Sequence, residues 1–279
     1  MEIRVQGEIK SNERNVGETR ITTVCLLAAG TGSRLLPLTK AMPKCLTRVD
    51  GKPILERLVG CLRDQGFRRL VVVVGHLEDH IRAFLDDCAG DLIVDYVRNP
   101  IYRTTNNMYS LWLAGAAIDS SMVLVESDLI FDSSLVGSLI QPDRIAVSRR
   151  LPWMNGTTIT MDRGGRVTSF RDGSAEFSND DEYKTVNMYS FSRATWSRVL
   201  KRLGQAVAES RENEYYEVVL REMVADGSLS LDSLIVDSDR WYEVDSINDL
   251  PGAERIAKLN AARATLSPPM EIAHIAESA

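Results

Sequence analysis

The chain has 279 residues, of which 44% are hydrophobic and 26% charged, and its formal net charge is −6 at pH 7. That length allows one large domain or two small ones, and the acidic balance excludes a general basic surface for nucleic acid or a membrane. No segment approaches the roughly 18 uninterrupted apolar residues that a membrane-spanning helix needs. We therefore expect no nucleic-acid partner and no membrane span.

The two ends of the chain differ from its middle. Residues 1–20 are polar and aperiodic and lack the apolar region of a signal peptide. We expect an N-terminal tail over residues 1–20, one domain over residues 21–262 and a C-terminal tail over residues 263–279. The four cysteines show neither C-x-x-C spacing nor a disulfide pattern, which predicts free thiols and a cytoplasmic protein.

The first predicted element is a buried strand over Val24–Ala28, and a glycine turn follows it. Glycines let the backbone approach a ligand closely, with N–H groups directed at an anion. Arg34 adds a forked cation and Lys44 a mobile point charge. Together they predict a triphosphate site whose nucleotide-binding residues are Ala28, Ala29, Gly30, Thr31, Gly32 and Ser33.

Three other interpretations of this turn are weaker. A dinucleotide fingerprint needs a third glycine where Leu35 stands, and a P-loop needs a Gly-Lys-Ser/Thr ending that is absent. A plain turn between two elements would not need both cations.

Helical and strand patterns then alternate. Apolar spacing predicts a helix from Ile54 to Leu62, closed by Gly66, and a second helix around residues 77–85. Continuous apolar runs at residues 70–74 and 92–97 predict strands covered on both faces. This alternation indicates an α/β fold with a mainly parallel sheet. His76 and His80 are spaced like metal ligands, but no third ligand accompanies them, and a surface helix start is the better interpretation.

Amide side chains cluster next, in the stretch from Asn99 to Leu111. Asn106 or Asn107 can cap the helix that follows. The same amides, together with Ser110, can also recognise a base edge through donors and acceptors at a strand end. The residues alone do not separate the two roles.

A strand over Met122–Val125 delivers Glu126, Ser127 and Asp128. The carboxyl end of a parallel strand faces the ligand crevice of an open α/β sheet. Mg²⁺ usually takes one or two carboxylates and phosphate oxygens. We therefore predict Asp128 as a magnesium ligand and give Glu126 a secondary place; the alternative is an acidic turn.

The second half of the chain carries the remaining candidates. A hairpin is predicted over residues 157–170, and a strand over Tyr183–Phe191 carries Lys184 and Asn187 near its start. Residues 174–181 are polar, and we expect them to be mobile. A helix near residue 215 opens with Tyr215, Tyr216 and Glu217, which could hold a small cation or simply start the helix favourably.

The last predicted strand, over residues 240–246, places Glu243 and Asp245 on one face. Ser246 can cap the next helix, with Asp249 completing a capping box. Pairing of these carboxylates with Asp128 would complete a metal site.

Three motifs resemble a known family. G-x-G-x-R-L-x-P-L-T-x-x-x-P-K-x-L at residues 30–46 resembles the signature of the sugar-1-phosphate nucleotidylyltransferases and their cytidylyltransferase relatives. N-P-x-Y-x-x-x-N-N-x-Y-S-L at residues 99–111 resembles the cytidylyltransferases that act on phosphocholine or phosphonates. Y-E-V-D-S at residues 242–246 resembles the late metal-binding aspartate motif. The resemblance covers residues 22 to about 260.

The resemblance implies a Rossmann-like three-layer αβα fold with a mixed, mainly parallel sheet and an inserted β-hairpin region for the acceptor. It implies a Mg²⁺-dependent transfer of CMP from CTP to a small phosphonate or phosphomonoester, with release of pyrophosphate. An acceptor phosphate with a second pKa of ~6 is largely ionised near neutral pH, so no strong general base is needed. That requirement suits a chain with three histidines.

The predicted site residues fall into four groups. They are Arg34, Lys44 and Lys184 for catalysis; the six turn residues with Asn106, Asn107 and Ser110 for the nucleotide; Asn187, Tyr215, Tyr216 and Glu217 for the acceptor; and Asp128, Glu243 and Asp245 for the metal. The alternatives are a sugar-1-phosphate nucleotidylyltransferase using UTP or dTTP, a metal-dependent glycosyltransferase and a non-catalytic nucleotide sensor. A homodimer is left open, and the acceptor is not named by the sequence.

Overall fold

The computed structural model describes residues 20–152, 154–173 and 182–266. Almost all of both predicted tails, together with the polar segment 174–181, lies outside the described residues. The described strands are β1 (Thr23–Ala28), β2 (Arg48–Val49), β3 (Lys52–Pro53), β4 (Arg69–Val74), β5 (Ile93–Arg98), β6 (Met122–Glu126), β7 (Leu129–Phe131), β8 (Arg144–Arg149), β9 (Thr158–Met161), β10 (Val167–Arg171), β11 (Tyr183–Phe191), β12 (Asp232–Ile235) and β13 (Trp241–Glu243). The described α-helices are α1 (Ile54–Asp64), α2 (Glu78–Cys88), α3 (Asn107–Ala114), α4 (Ser133–Ser138), α5 (Arg193–Ala208), α6 (Tyr216–Ala225) and α7 (Leu250–Leu266).

A nine-stranded mixed sheet forms the middle layer. Strands β6, β1, β4 and β5 lie side by side in that order and are parallel. The chain leaves β1 toward β4 and β5 and later returns to place β6 on the other side of β1. The carboxyl ends of β1 and β6 therefore flank a topological switch point, where open α/β sheets bind ligands.

Apolar side chains cover both faces of this sheet. Along β1, Val24 and Leu26 pack on one face and Cys25 and Leu27 on the other, and β1 is buried throughout. Helices α1 and α2 pack on the first face, and α3, α5 and α6 on the second. This arrangement confirms the predicted three-layer αβα fold with a mixed, mostly parallel sheet. No helix in the described ranges has the length and apolar character needed to cross a membrane.

Strand β11 joins the parallel half to the hairpin. Its residues Met188–Phe191 run antiparallel to β6, while Tyr183 and Lys184 pair with β9. Strand β10 completes the predicted hairpin with β9. The predicted hairpin therefore extends the central sheet beside the switch point.

Most predicted elements are present, with some differences in detail. The capping box of Ser246 and Asp249 is confirmed: the Ser246 backbone N–H donates to the Asp249 carboxylate at 2.6 Å. Helix α7 continues to Leu266, beyond the predicted boundary at residue 262. Strand β13 ends at Glu243, so Asp245 lies past the strand rather than on its face as predicted. The sequence analysis missed β2, β3, β7, α4 and β12.

Candidate active site

Carboxylates from two parts of the chain meet at the switch point. Asp128 follows β6, and β13 pairs antiparallel with β7, which brings Glu243 opposite Leu129. Carboxylate oxygens of Asp128, Glu243 and Asp245 lie within 4.8 Å of one another. The three predicted metal ligands are therefore one cluster.

Each of these carboxylates is paired with one of the predicted catalytic cations. Lys44 Nζ lies 2.7 Å from Asp128 Oδ2 and 2.9 Å from Asp245 Oδ1. Arg34 donates to both Asp245 oxygens, at 2.6 and 3.0 Å. Lys184 Nζ lies 3.3 Å from Glu243 Oε2. Burial alone would lower the pKa of Lys44, but the charges of Asp128 and Asp245 raise it overall.

The donor set fits a hard divalent cation. Carboxylate oxygens are the ligands that Mg²⁺ prefers, and Asp128 Oδ1 is buried with no hydrogen-bond partner among the described residues. A buried carboxylate oxygen without a partner is costly unless something else binds it. Asp128, Glu243 and Asp245 would hold the ion.

The glycine turn is shaped by its neighbours. Gly32 has φ +62°, and a Cβ there would lie 3.0 Å from side-chain atoms of both Lys44 and Thr39. Thr39 Oγ1 donates to the Gly32 carbonyl at 2.8 Å, which fixes the turn against the segment that carries Lys44. The turn therefore needs glycine at this position.

A cavity of about 240 Å³ opens between the turn and the start of α3. Its walls include Ala28, Ala29, Gly30, Gly32 and Ser33 from the turn, with Asn106, Asn107 and Ser110 from the amide stretch. Of the residues predicted to bind nucleotide, Thr31 is the exception and does not line it. We call this space the nucleotide cavity.

The amides of this stretch have mainly structural partners. The Asn106 side chain accepts from the Asn107 backbone N–H at 2.8 Å and caps α3, which confirms the capping interpretation. Asn107 Nδ2 donates to Glu126 at 3.2 Å, and Asn107 Oδ1 accepts from the Tyr216 N–H at 3.0 Å. Asn107 nevertheless lines the cavity, so the predicted reading of a base by these amides and Ser110 stays a prediction.

A second cavity, of about 360 Å³, adjoins the first on the side of the hairpin. The two share a wall made of Arg34, Asn107, Glu126, Asp128, Tyr215 and Asp245. The second cavity also contains Lys184, Asn187 and Glu217. We call it the acceptor cavity.

Glu217 and Tyr215 suit the predicted cation pocket, whereas Tyr216 does not. Glu217 is 8% exposed, and burial raises its pKa to about 7. Tyr215 is largely exposed and lines both cavities. Tyr216 is fully buried and its hydroxyl donates to Glu126 at 2.9 Å. Its predicted contact with the acceptor is wrong, because helix periodicity turns its ring into the core while its neighbours face the cavity.

Asn187 has an unusual backbone within β11. Its φ is +57°, at a register shift between Thr185 and Tyr189. Its Nδ2 donates to Glu243 at 3.1 Å, and its Oδ1 accepts from Thr185 Oγ1 at 2.8 Å. A strained residue of this kind persists only where its surroundings hold it, and such residues cluster at functional sites.

The sequence analysis missed several cavity residues. Arg171, at the end of β10, and Arg221, on α6, both line the acceptor cavity. Arg171 pairs with Glu182 at 3.0 Å. Glu126 lies in the shared wall, where burial and then the charge of Asp128 raise its pKa well above the usual range. No motif marks the two arginines; Glu126 was visible beside Asp128 but was given a secondary place.

Residues 24–151 match the model of the MobA-like NTP transferase domain. The chain is 32% identical over 263 residues to CMP-5'-(3-aminopropyl)phosphonate synthase of Streptomyces rubellomurinus, covering 91% of this chain but only 40% of that protein. It is 25% identical over 232 residues to 2-aminoethylphosphonate cytidylyltransferase of Lancefieldella rimae, covering 82% and 90%.

Among solved structures, the CTP:phosphocholine cytidylyltransferase of Streptococcus pneumoniae superposes with a TM-score of 0.73 at 20% identity, over 85% of this chain and 99% of that one. At that identity the match supports the fold alone. The sequence matches confirm the resemblance predicted from the three motifs.

Proposed function

We propose that the chain, in which residues 24–151 match the model of the MobA-like NTP transferase domain, transfers CMP from CTP to a small phosphonate or phosphomonoester and releases pyrophosphate. One observation carries the proposal. Three carboxylates and three cations form a cluster at and beside the wall where a cavity next to the glycine turn adjoins a cavity next to the hairpin. Two substrates could meet at that wall.

The glycine turn, Arg34 and Lys44 would bind the triphosphate. Backbone N–H groups and cations neutralise phosphate charge without entering the chemistry. Their main task is to hold the α-phosphate facing the acceptor cavity, because positioning and charge stabilisation dominate phosphoryl-type transfer. A bound Mg²⁺ would supply further neutralisation of the phosphate oxygens.

The acceptor would enter with its phosphonate or phosphate oxygen already ionised. That oxygen attacks the α-phosphorus, a new oxygen–phosphorus bond forms, and the bond from the α-phosphorus to the bridging oxygen breaks, so that pyrophosphate leaves with its electron pair. Lys184 is 3% exposed and lies beside Glu243. Its buried ammonium would hold the attacking group without giving or taking a proton.

Relatives favour a small aminated or choline-bearing acceptor. Two of these relatives are named for aminoalkylphosphonates, and the protein of the solved structure is named for phosphocholine. Glu217 with the exposed ring of Tyr215 offers a desolvated carboxylate and an aromatic face to such a head group.

The direct test is pyrophosphate release from each of the four NTPs with a panel of acceptors. The panel contains phosphocholine, 2-aminoethylphosphonate, a hydroxyalkylphosphonate, phosphonoformate and a sugar 1-phosphate. CTP should exceed UTP and dTTP by more than about tenfold in kcat/KM, which needs only about 1.4 kcal/mol of discrimination. A preference for UTP or dTTP with the sugar phosphate would overturn the proposal in favour of the sugar branch.

A further inference from the structure

Tyr216 is a buried tyrosine whose polar groups both point at the wall shared by the two cavities. It is the first residue of α6 and is fully buried. Its hydroxyl donates to Glu126 Oε1 at 2.9 Å, and its backbone N–H donates to Asn107 Oδ1 at 3.0 Å. A buried tyrosine needs only one partner for its hydroxyl, so the second bond ties the helix terminus itself to Asn107.

Asn107 and Glu126 complete a closed ring of hydrogen bonds. Asn107 Nδ2 donates to the same Glu126 oxygen at 3.2 Å. The ring joins the first residue of α3, the last residue of β6 and the first residue of α6. A further backbone hydrogen bond lies beside the ring: the Asn106 N–H donates to the Glu212 carbonyl at 3.0 Å. The N-termini of two helices are thereby held together through one strand end.

Each helix terminus serves a different cavity. The start of α3 gives Asn106 and Ser110 to the nucleotide cavity. The start of α6 gives Glu217 and Arg221 to the acceptor cavity. Because three hydrogen bonds close the ring, the position of one terminus constrains the position of the other.

We propose that Tyr216, through Glu126 and Asn107, is a positioning residue that couples nucleotide binding to the order of the acceptor cavity. A nucleotide that contacts the shared wall fixes Asn107 and Glu126. These fix the first turn of α6 and, with it, Glu217 and Arg221. The inference rests on the proposed function for both its nucleotide and its acceptor.

The chain offers a matched control for the tyrosine. Tyr189 is also fully buried and packs edge-on against Tyr216 at 5.6 Å between ring centroids. Its hydroxyl makes none of the three hydrogen bonds of the ring. Tyr216→Phe and Tyr189→Phe therefore remove the same atom at the same depth, and only the first breaks the ring.

The first experiment needs no acceptor. Hydrogen–deuterium exchange of the wild-type protein is measured with and without a non-hydrolysable methylene analogue of CTP and Mg²⁺. With the analogue bound, the segment around residues 212–220 should exchange at least about five times more slowly than without it. Tyr216→Phe should lose that protection and Tyr189→Phe should keep it.

The second experiment uses turnover with 2-aminoethylphosphonate or phosphocholine. Tyr216→Phe should raise the acceptor KM by about fivefold or more, while the affinity for the CTP analogue stays within about twofold. The coupling would be overturned if both tyrosine variants changed the protection and the acceptor KM equally. It would also be overturned if Tyr216→Phe kept the protection and the acceptor KM of the wild type. Absence of protection in the wild type would overturn it too, even if Tyr216→Phe did not fold. Failure of the proposed function gives a different result, no turnover by the wild type with any acceptor.

Discussion

Lys44 is the residue on which the charges of the site converge. Its Nζ lies 2.7 Å from Asp128 and 2.9 Å from Asp245, and its side chain is 15% exposed. A cation placed there acts most strongly when negative charge builds up around the α-phosphate. Lys44→Ala should therefore lower kcat by about 10²-fold or more, with a smaller rise in the KM for CTP. Arg34→Ala should mainly weaken CTP binding, and steady-state kinetics separate the two effects. A change confined to KM in Lys44→Ala would remove its transition-state role.

The same contacts predict how metal and lysine compete. Lys44 already neutralises two of the three clustered carboxylates, so a divalent ion must displace it or share them. Removing the charge with Lys44→Met should raise Mn²⁺ affinity in the absence of nucleotide by about tenfold, read by the electron paramagnetic resonance of free Mn²⁺. Lys40→Met is the control, because Lys40 is exposed on the same loop. Unchanged Mn²⁺ affinity in Lys44→Met would mean that lysine and metal do not compete.

Substitution of the carboxylates gives a separate test of the metal site. Asp128→Asn and Asp245→Asn keep the shape of each side chain and remove its charge. Each should abolish most turnover and weaken Mn²⁺ binding, because an amide is a poorer ligand for a hard cation. Circular dichroism should show that the fold survives. Near-normal Mg²⁺-dependent activity in either variant would exclude that residue from the site.

Glu217 predicts a pH dependence. Burial raises its pKa to about 7, so the carboxylate loses its charge as pH falls below that value. If it holds an ammonium group, the KM for an aminated acceptor should rise as pH falls from about 8 to about 6, while a hydroxylated acceptor of the same length is little affected. Glu217→Gln should make the two acceptors equal at every pH. Equal profiles for both acceptors in the wild type would deny Glu217 this role.

At the residue scale, the residues that belong to motifs could be predicted from the sequence, whereas most of the residues around them could not. Arg34, Lys44 and Asp128 stand in patterns whose spacing implies a chemistry. Arg221 is one charge on an amphipathic helix, and nothing local distinguishes it from a solvated arginine. Tyr216 was misassigned because its neighbours Tyr215 and Glu217 face the cavity, and helix phase cannot be fixed at a first turn.

At the scale of elements, β11 shows what a local pattern can and cannot predict. Its bounds, Tyr183–Phe191, agree with the sequence. The register shift at Asn187 depends on how β6, β8 and β9 pair with it, which no property of the segment reveals. Strand β12 was missed for a related reason: four residues with exposed ends are a strand only because β8 lies beside them.

The bend in β11 predicts a stability difference between two substitutions. Asn187 has φ +57°, a region that alanine adopts at a cost of about 1–2 kcal/mol and glycine adopts freely. Asn187→Ala and Asn187→Gly both lose the bonds to Glu243 and Thr185, so their difference isolates the backbone. Asn187→Gly should be the more stable by about 1 kcal/mol in urea unfolding. Equal stabilities, or a more stable alanine variant, would mean that the backbone relaxes on substitution.

For the whole molecule, the order of the strands in the sheet determines where the site lies. Predicting each strand separately could not give that location. Alternating strands and helices predicted a mainly parallel sheet, and the sheet is confirmed. The position of β6 next to β1, and the antiparallel pairing of β13 with β7, bring Asp128 and Glu243 together from distant parts of the chain. Their meeting was expected from the resemblance; the lysine that bridges Asp128 and Asp245 was not.

The charge balance of the assembled site leads to a prediction about global stability. Lys44 and Arg34 already neutralise the charges of Asp128 and Asp245, so Mg²⁺ alone gains little by binding, even though Asp128 Oδ1 has no hydrogen-bond partner among the described residues. Mg²⁺ with CTP offers phosphates to the displaced cations and should bind tightly. At about 100 times its Kd such a ligand stabilises the folded state by about 2.7 kcal/mol, which raises the Tm by roughly 5–10 °C for a chain of this size. Differential scanning calorimetry should show this rise with CTP and Mg²⁺, a smaller one with UTP and Mg²⁺ at the same concentrations, and almost none with Mg²⁺ alone. A full shift with Mg²⁺ alone would mean that the carboxylates bind the ion independently of the nucleotide, and equal shifts with CTP and UTP would mean that the nucleotide cavity does not distinguish the bases.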